Sequence, residues 1–206
     1  MRTGTLAVFL AGGAIAGRDR PAAEGVDAHP ASHDAPTGCT TQSTDLLMNG
    51  AFDTMPAGSG WVSTPANPTY PIVTSNGTVA AQSAPDKAWM GSFVSKTDDM
   101  HEDVAIPAST TALVLAGYYQ VRTTETATTA NDTAKVELAD SSGSLLESAL
   151  ALDNTQATTA WVPFTYSITS NVAGKPIRLV FTTANNSTKA TSFYFDTVTL
   201  TATSCQ

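Results

Sequence analysis

Charge is scarce in this 206-residue sequence, and positive charge scarcest. Asp, Glu, Lys and Arg make up 14% of it, with 10 Lys or Arg against 18 Asp or Glu. A net charge of −8 leaves no basic face to neutralise phosphates, which excludes a nucleic-acid binder. Histidine is rarer still. His29 and His33 are spaced for a metal grip on a helix, but Pro30 and Pro36 exclude the helix. His101 is the one histidine after residue 38, so a three-imidazole zinc centre cannot form there. A Gly-x-Ser-x-Gly nucleophile elbow and a phosphate-cradling glycine loop are both missing. No pair of acids is singled out for glycoside hydrolysis. These absences point to a protein that is not an enzyme. Hydroxyl groups fill the gap, with 33 Thr and 18 Ser. Threonine favours strands over helices, and at 42% hydrophobic the chain can bury a core, so the composition points to an all-β fold.

The first 38 residues differ from the rest. Arg2, the apolar run 6–15 and the small residues Ala14, Ala16 and Gly17 predict an export signal over 1–17. Ile15-Ala16-Gly17 is also similar to the lead-in of a bacterial lipoprotein signal, but Arg18 stands where the lipid-accepting cysteine would be, so no lipid anchor is expected. Residues 18–38, rich in Ala, Pro, Asp and Gly with no apolar period, predict a flexible linker. No later stretch approaches the roughly 20 apolar residues of a membrane span. The expected location is outside the cell or in its envelope. In that oxidising setting the only cysteines, Cys39 and Cys205, predict a disulfide at the two ends of a single domain, 39–206. Such a bridge contributes on the order of 4 kcal/mol by constraining the unfolded chain.

Between the cysteines, strand signals recur at short spacing: 46–52, 88–94, 112–121, 135–140, 145–152, 161–168, 177–183 and 193–203. Ser141-Ser142-Gly143 marks a hairpin turn. Val162, Phe164, Tyr166 and Ile168, then Ile177, Leu179 and Phe181, then Tyr194, Val198 and Leu200 alternate with polar residues. Period two means half-buried antiparallel sheet, and the expected architecture is a two-sheet β-sandwich. His101-Glu102-Asp103 reads as a solvated loop. Strand parity places Asp196 with Val198 and Leu200 on the core side, where a carboxylate needs a partner or a metal. The competing reading is a solvated Asp196 or one paired with Arg178. Trp61, in Gly58-Ser59-Gly60-Trp61, and Tyr70, between Pro68 and Pro71, are the aromatics expected to be exposed and to contact a ligand; Trp89, Tyr166 and Tyr194 are expected in the core.

Several segments carry a resemblance. Asn49-Gly50-Ala51-Phe52-Asp53 followed by Trp61 resembles the opening of galactose-binding-like jelly rolls, the fold of many carbohydrate-binding modules. Ala88-Trp89-Met90-Gly91, Ile106-Pro107-Ala108 with the run to Tyr119, residues 175–181 and residues 191–200 are similar to later strands of such accessory domains in exported bacterial proteins. Ala51 and Thr197 depart from the pattern, which has acids at these places. The resemblance implies a jelly-roll sandwich and a non-catalytic module that binds carbohydrate or another surface polymer. It also implies a structural calcium where the first and last strands meet, held by Asp196 with Asp53 and Asn49, since calcium gathers six to eight oxygens. The alternative function is a structural or protein-interaction domain of adhesin type without a small ligand.

Overall fold

The computed structural model describes residues 39–126 and 128–205. The expected signal and linker lie outside the described residues. Eleven strands form: β1 (Thr41–Asp45), β2 (Val62–Thr64), β3 (Val73–Thr74), β4 (Lys87–Gly91), β5 (Thr97–Ala105), β6 (Thr110–Thr123), β7 (Thr133–Asp140), β8 (Leu145–Asp153), β9 (Val162–Ser167), β10 (Pro176–Ala184) and β11 (Thr191–Cys205). A 3-10 turn, Asn154–Gln156, follows β8. All pairings are antiparallel. One sheet runs β3-β4-β11-β6-β9, the other β2-β5-β10-β7-β8. Strands β4 and β1 share one edge of β11, along Ser192–Phe195 and Thr201–Cys205. The domain is an all-β jelly-roll sandwich.

Its core is filled by the inward positions of both sheets. Met90, Leu115, Phe193, Phe195 and Leu200 come from the first sheet, and Met100, Leu138, Ile177, Leu179 and Phe181 from the second; all are fully buried. Phe181 and Phe195 meet edge to face across the gap, ring centroids 4.9 Å apart. Outward positions of β11 carry threonine at 199, 201 and 203. The first and last strands pair, and Cys39 and Cys205 are bonded with Cα atoms 5.4 Å apart across 166 residues. The hairpin at Ser141-Ser142-Gly143 joins β7 to β8, with Gly143 N–H donating to the Asp140 carbonyl.

Three expectations are corrected. Residues 46–52 form turns and loop rather than the opening strand, which is Thr41–Asp45. His101-Glu102-Asp103 lies in the middle of β5 rather than in a loop. The alternation there is intact, but Asp98 and Glu102 occupy inward positions beside Met100 and Val104, which hides the strand signal. Asp196, finally, does not share a face with Val198 and Leu200. The pairing of β11 with β6 slips by one residue between Asp196 and Thr199, and Thr197 takes φ +50° at that bulge. One inserted residue reverses which side chains face the core. Phe193 and Phe195 therefore point inward before the bulge, Val198 and Leu200 after it, and Asp196 goes outward with Tyr194. Both remain buried, because residues of the 75–86 segment cover that face: Gln82 and Ser83 bond Asp196, and Trp161 Nε1–H reaches the Ala80 carbonyl.

Candidate functional site

The residues expected to hold calcium hold the protein together instead. Asp196 is completely buried, and its Oδ2 accepts the N–H groups of Gln82 (2.7 Å) and Ser83 (3.0 Å) while Oδ1 accepts that of Thr197 (2.6 Å). Asp53 accepts the Ser83 hydroxyl (2.8 Å) and the Asp86 N–H (3.0 Å). Asn49 accepts the Thr54 N–H and donates to the Ser59 carbonyl. The cation near Asp196 and Asp86 is Lys87, fully buried, its ammonium donating 2.7 Å to the Asn76 carbonyl. Burial lowers the Lys87 pKa, and the two carboxylates oppose that shift. Burial raises the pKa of Asp196 against its three N–H donors. Donors aimed at both oxygens of Asp196 and Asp53, with an ammonium alongside, do not fit a calcium site, which needs free oxygens. Among the described residues no three His, Cys, Asp or Glu side chains gather as a metal cluster. Arg178 pairs with Asp103 at 2.8 Å on the other sheet, not with Asp196.

Trp61 is likewise structural. It is 8% exposed, contrary to expectation, with its Nε1–H on the Asn49 carbonyl (2.9 Å) and its ring against Phe52 and Phe181. The Asn-Gly-x-Phe … Trp pattern is therefore a packing motif. Asn49 orders the loop, Phe52 and Trp61 cap the core, and Gly50 touches the bulge. The Gly50 carbonyl accepts the Val198 N–H, and a Cβ there would lie 1.8 Å from the Val198 oxygen.

Tyr70 is exposed as expected, and the fold gives it neighbours. A turn closed by Tyr70 N–H to the Asn67 carbonyl projects it from the loop after β2. On the facing side the chain leaves β4 through Gly91 and Ser92, both left-handed (φ +81° and +74°), and so brings Phe93 to 5.6 Å from Tyr70 between ring centroids. Gly91 must be glycine for a second reason: a Cβ would lie 2.2 Å from the Thr191 oxygen. Tyr70, Pro71, Ile72, Trp89, Phe93 and Asp98 line a cavity of about 100 Å³ between these two loops. Trp89 stacks on Tyr194 at 5.6 Å, yet its Nε1–H is buried without an acceptor. The other two indoles, Trp61 and Trp161, both have one. Asp98, 5% exposed, accepts N–H bonds from Gly91 (2.6 Å) and Ala66, and burial raises its pKa.

The exposure of Tyr70 is legible in the prolines around it, and its neighbours in the cavity are not. Trp89 was assigned to the core by its strand, which is half right. Phe93 gave no signal beyond its place after Ala88-Trp89-Met90-Gly91. Asp98 could have been found: its even-numbered spacing with Met100 and Val104 marks an acid on an apolar face. A larger concavity, a groove of about 340 Å³ across the outside of the second sheet, is lined by Asp98, Asp99, Lys135, Glu137 and threonines and has no aromatic wall.

No family model matches the sequence, and no curated protein matches it. Among solved structures, an apo-form cyclase from Fischerella sp. aligns over 78% of this chain and 96% of its own, with 15% identity and a TM-score of 0.50. That likeness is one of fold. TmCBM61, solved with beta-1,4-galactotriose, aligns over 76% of this chain and 97% of its own (13% identity, TM-score 0.47). The MgGH51 α-L-arabinofuranosidase aligns over 77% of this chain but 26% of its own (16% identity, TM-score 0.49). The domain is a jelly-roll sandwich, and carbohydrate-binding modules are among the solved structures that match it. No helix among the described residues is long and apolar enough to cross a membrane.

Proposed function

We propose that this chain is a non-catalytic module, exported from the cytoplasm, that binds carbohydrate or another extracellular polymer in the pocket formed by Tyr70, Trp89 and Phe93. The observation that carries the reading is that Trp89, whose Nε1–H is buried without an acceptor, lines a cavity walled by the Tyr70 and Phe93 rings. Proteins seldom leave a buried donor unmade, because doing so costs about 1–3 kcal/mol. A ligand oxygen would recover that loss. The apolar face of a pyranose suits the Tyr70 and Phe93 rings, and its hydroxyls suit the indole donor. A small pocket with aromatic walls and few placed polar groups is the usual form of a small-ligand site.

A glycan array probed with the full chain tests this, with Tyr70→Ala as the paired variant. The account expects binding to a restricted set of glycans, weakened roughly tenfold by the substitution at unchanged melting temperature. Binding indifferent to Tyr70→Ala would place the site elsewhere. A folded protein that bound no glycan would favour the structural, adhesin-like reading.

A further inference from the structure

We infer that the pocket is built for a sugar carrying a free amine, an amino sugar whose ammonium sits against the Asp98 carboxylate while Tyr70 and Phe93 hold the ring. This deepens the carbohydrate reading and rests on it. Asp98 lies on the inward side of β5, where apolar residues belong, and it is 5% exposed. Its carboxylate accepts the N–H groups of Ala66, which precedes the Tyr70 turn, and of Gly91, which opens the loop that carries Phe93, and Asp98 is among the residues that line the cavity. Among the described residues it forms no ion pair; the lysine and arginine pairs lie at Glu137 and Asp103. The Ala66 and Gly91 N–H groups and the Thr183 hydroxyl leave about one of the four acceptor positions of the carboxylate unused.

An acid buried in an aromatic cavity without a counter-ion is complementary to a cation. The aromatic faces add to the attraction, because an ammonium over a ring is stabilised by the ring quadrupole. The same ligand must also accept a hydrogen bond, since Trp89 Nε1–H is a donor without an acceptor. An amino sugar meets both demands with one ring: its ammonium donates to Asp98 and a hydroxyl or ring oxygen accepts from Trp89. A neutral hexose meets only the second. The cavity, about 100 Å³, matches the end of a chain or one projecting residue rather than a polymer laid lengthwise.

The test is calorimetric titration of the full chain with three oligosaccharides of equal length, at a pH where free amines are protonated. These are β-1,4-linked glucosamine, its N-acetylated counterpart and the neutral glucose oligomer. The glucosamine oligomer is expected to bind at least tenfold tighter than the other two. Asp98→Asn should remove that preference, and Trp89→Phe should weaken all three several-fold. Wild-type amide spectra give an independent readout if Asp98→Asn does not fold: the Ala66 and Gly91 N–H resonances, which report on Asp98, should move with the glucosamine oligomer and not with the glucose one. Equal binding of all three oligomers, a preference that survives Asp98→Asn, or Ala66 and Gly91 resonances that ignore the amine would overturn the amino-sugar assignment while leaving a carbohydrate site. Binding of none of them, with positive glycans of other kinds on the array, would overturn the assignment alone; binding of none with an empty array would remove both readings.

Discussion

Three carboxyl groups, Asp98, Glu102 and Asp196, are buried in the sandwich, and burial raises the pKa of each. A raised carboxyl pKa means that the folded state holds more protons than the unfolded one above the ordinary carboxylate range. Stability therefore falls as the pH rises through the folded pKa values. Glu147 acts in the opposite direction. Hydrogen bonds from Thr169 and Ser170 outweigh its desolvation and lower its pKa from 4.5 to about 2, so its contribution is lost as the pH drops through that interval. A melting curve measured against pH should accordingly peak on the acid side of neutrality. Glu102→Gln should flatten the neutral limb, since Glu102 Oε2 is buried without a partner; a neutral limb of unchanged slope would contradict this. The two loop aromatics, buried Trp61 and exposed Tyr70, separate at the same scale. Trp61→Ala should cost about 3–5 kcal/mol in urea unfolding, as expected for a buried aromatic, whereas Tyr70→Ala should change stability by less than about 1 kcal/mol.

At the scale of elements, the bulge in β11 organises the candidate site's surroundings. It turns Asp196 outward, and Asp196 with Asp53 then fixes Gln82, Ser83 and Asp86 over the first sheet. Gly50→Ala, which drives a methyl group into the Val198 carbonyl, should destabilise the domain by about 2–3 kcal/mol in denaturant unfolding; a neutral result would show that loop and bulge separate freely. Asp196→Ala should raise amide exchange at Gln82 and Ser83 well before it reaches β6. The strands were legible where apolar and hydroxyl residues alternate, as in β9, β10 and the second half of β11. They were illegible where period two carries acids, as in β5, or where one extra residue reverses it, as at Thr197. Periodicity reports a face only between irregularities. The pocket was half legible for a related reason: prolines around Tyr70 announce a loop, but only the fold reveals that Phe93 and Asp98 come from a different loop and strand to meet it.

For the whole molecule, the Cys39–Cys205 bond joins the chain ends across 166 residues. Its reduction should remove on the order of 4 kcal/mol and lower the melting temperature by roughly 10 °C. Calcium and chelator should leave that temperature unchanged, because backbone N–H groups and the Ser83 hydroxyl already occupy the carboxylate oxygens that a metal would use; a drop in chelator would contradict the assignment of Asp196. Acidity and abundant threonine describe a hydrophilic sandwich surface, and the cavity walled by Tyr70, Trp89 and Phe93 stands out on the described part of it. The chain has three tryptophans, so their indole N–H resonances form a compact reporter of where a ligand sits. Titration of the labelled protein with the glycan that binds best on the array tests the central claim most directly. The account predicts that the Trp89 Nε1–H resonance shifts strongly while those of Trp61 and Trp161, already bonded to carbonyls, stay in place. A Trp89 resonance that remains fixed while the glycan binds would contradict it.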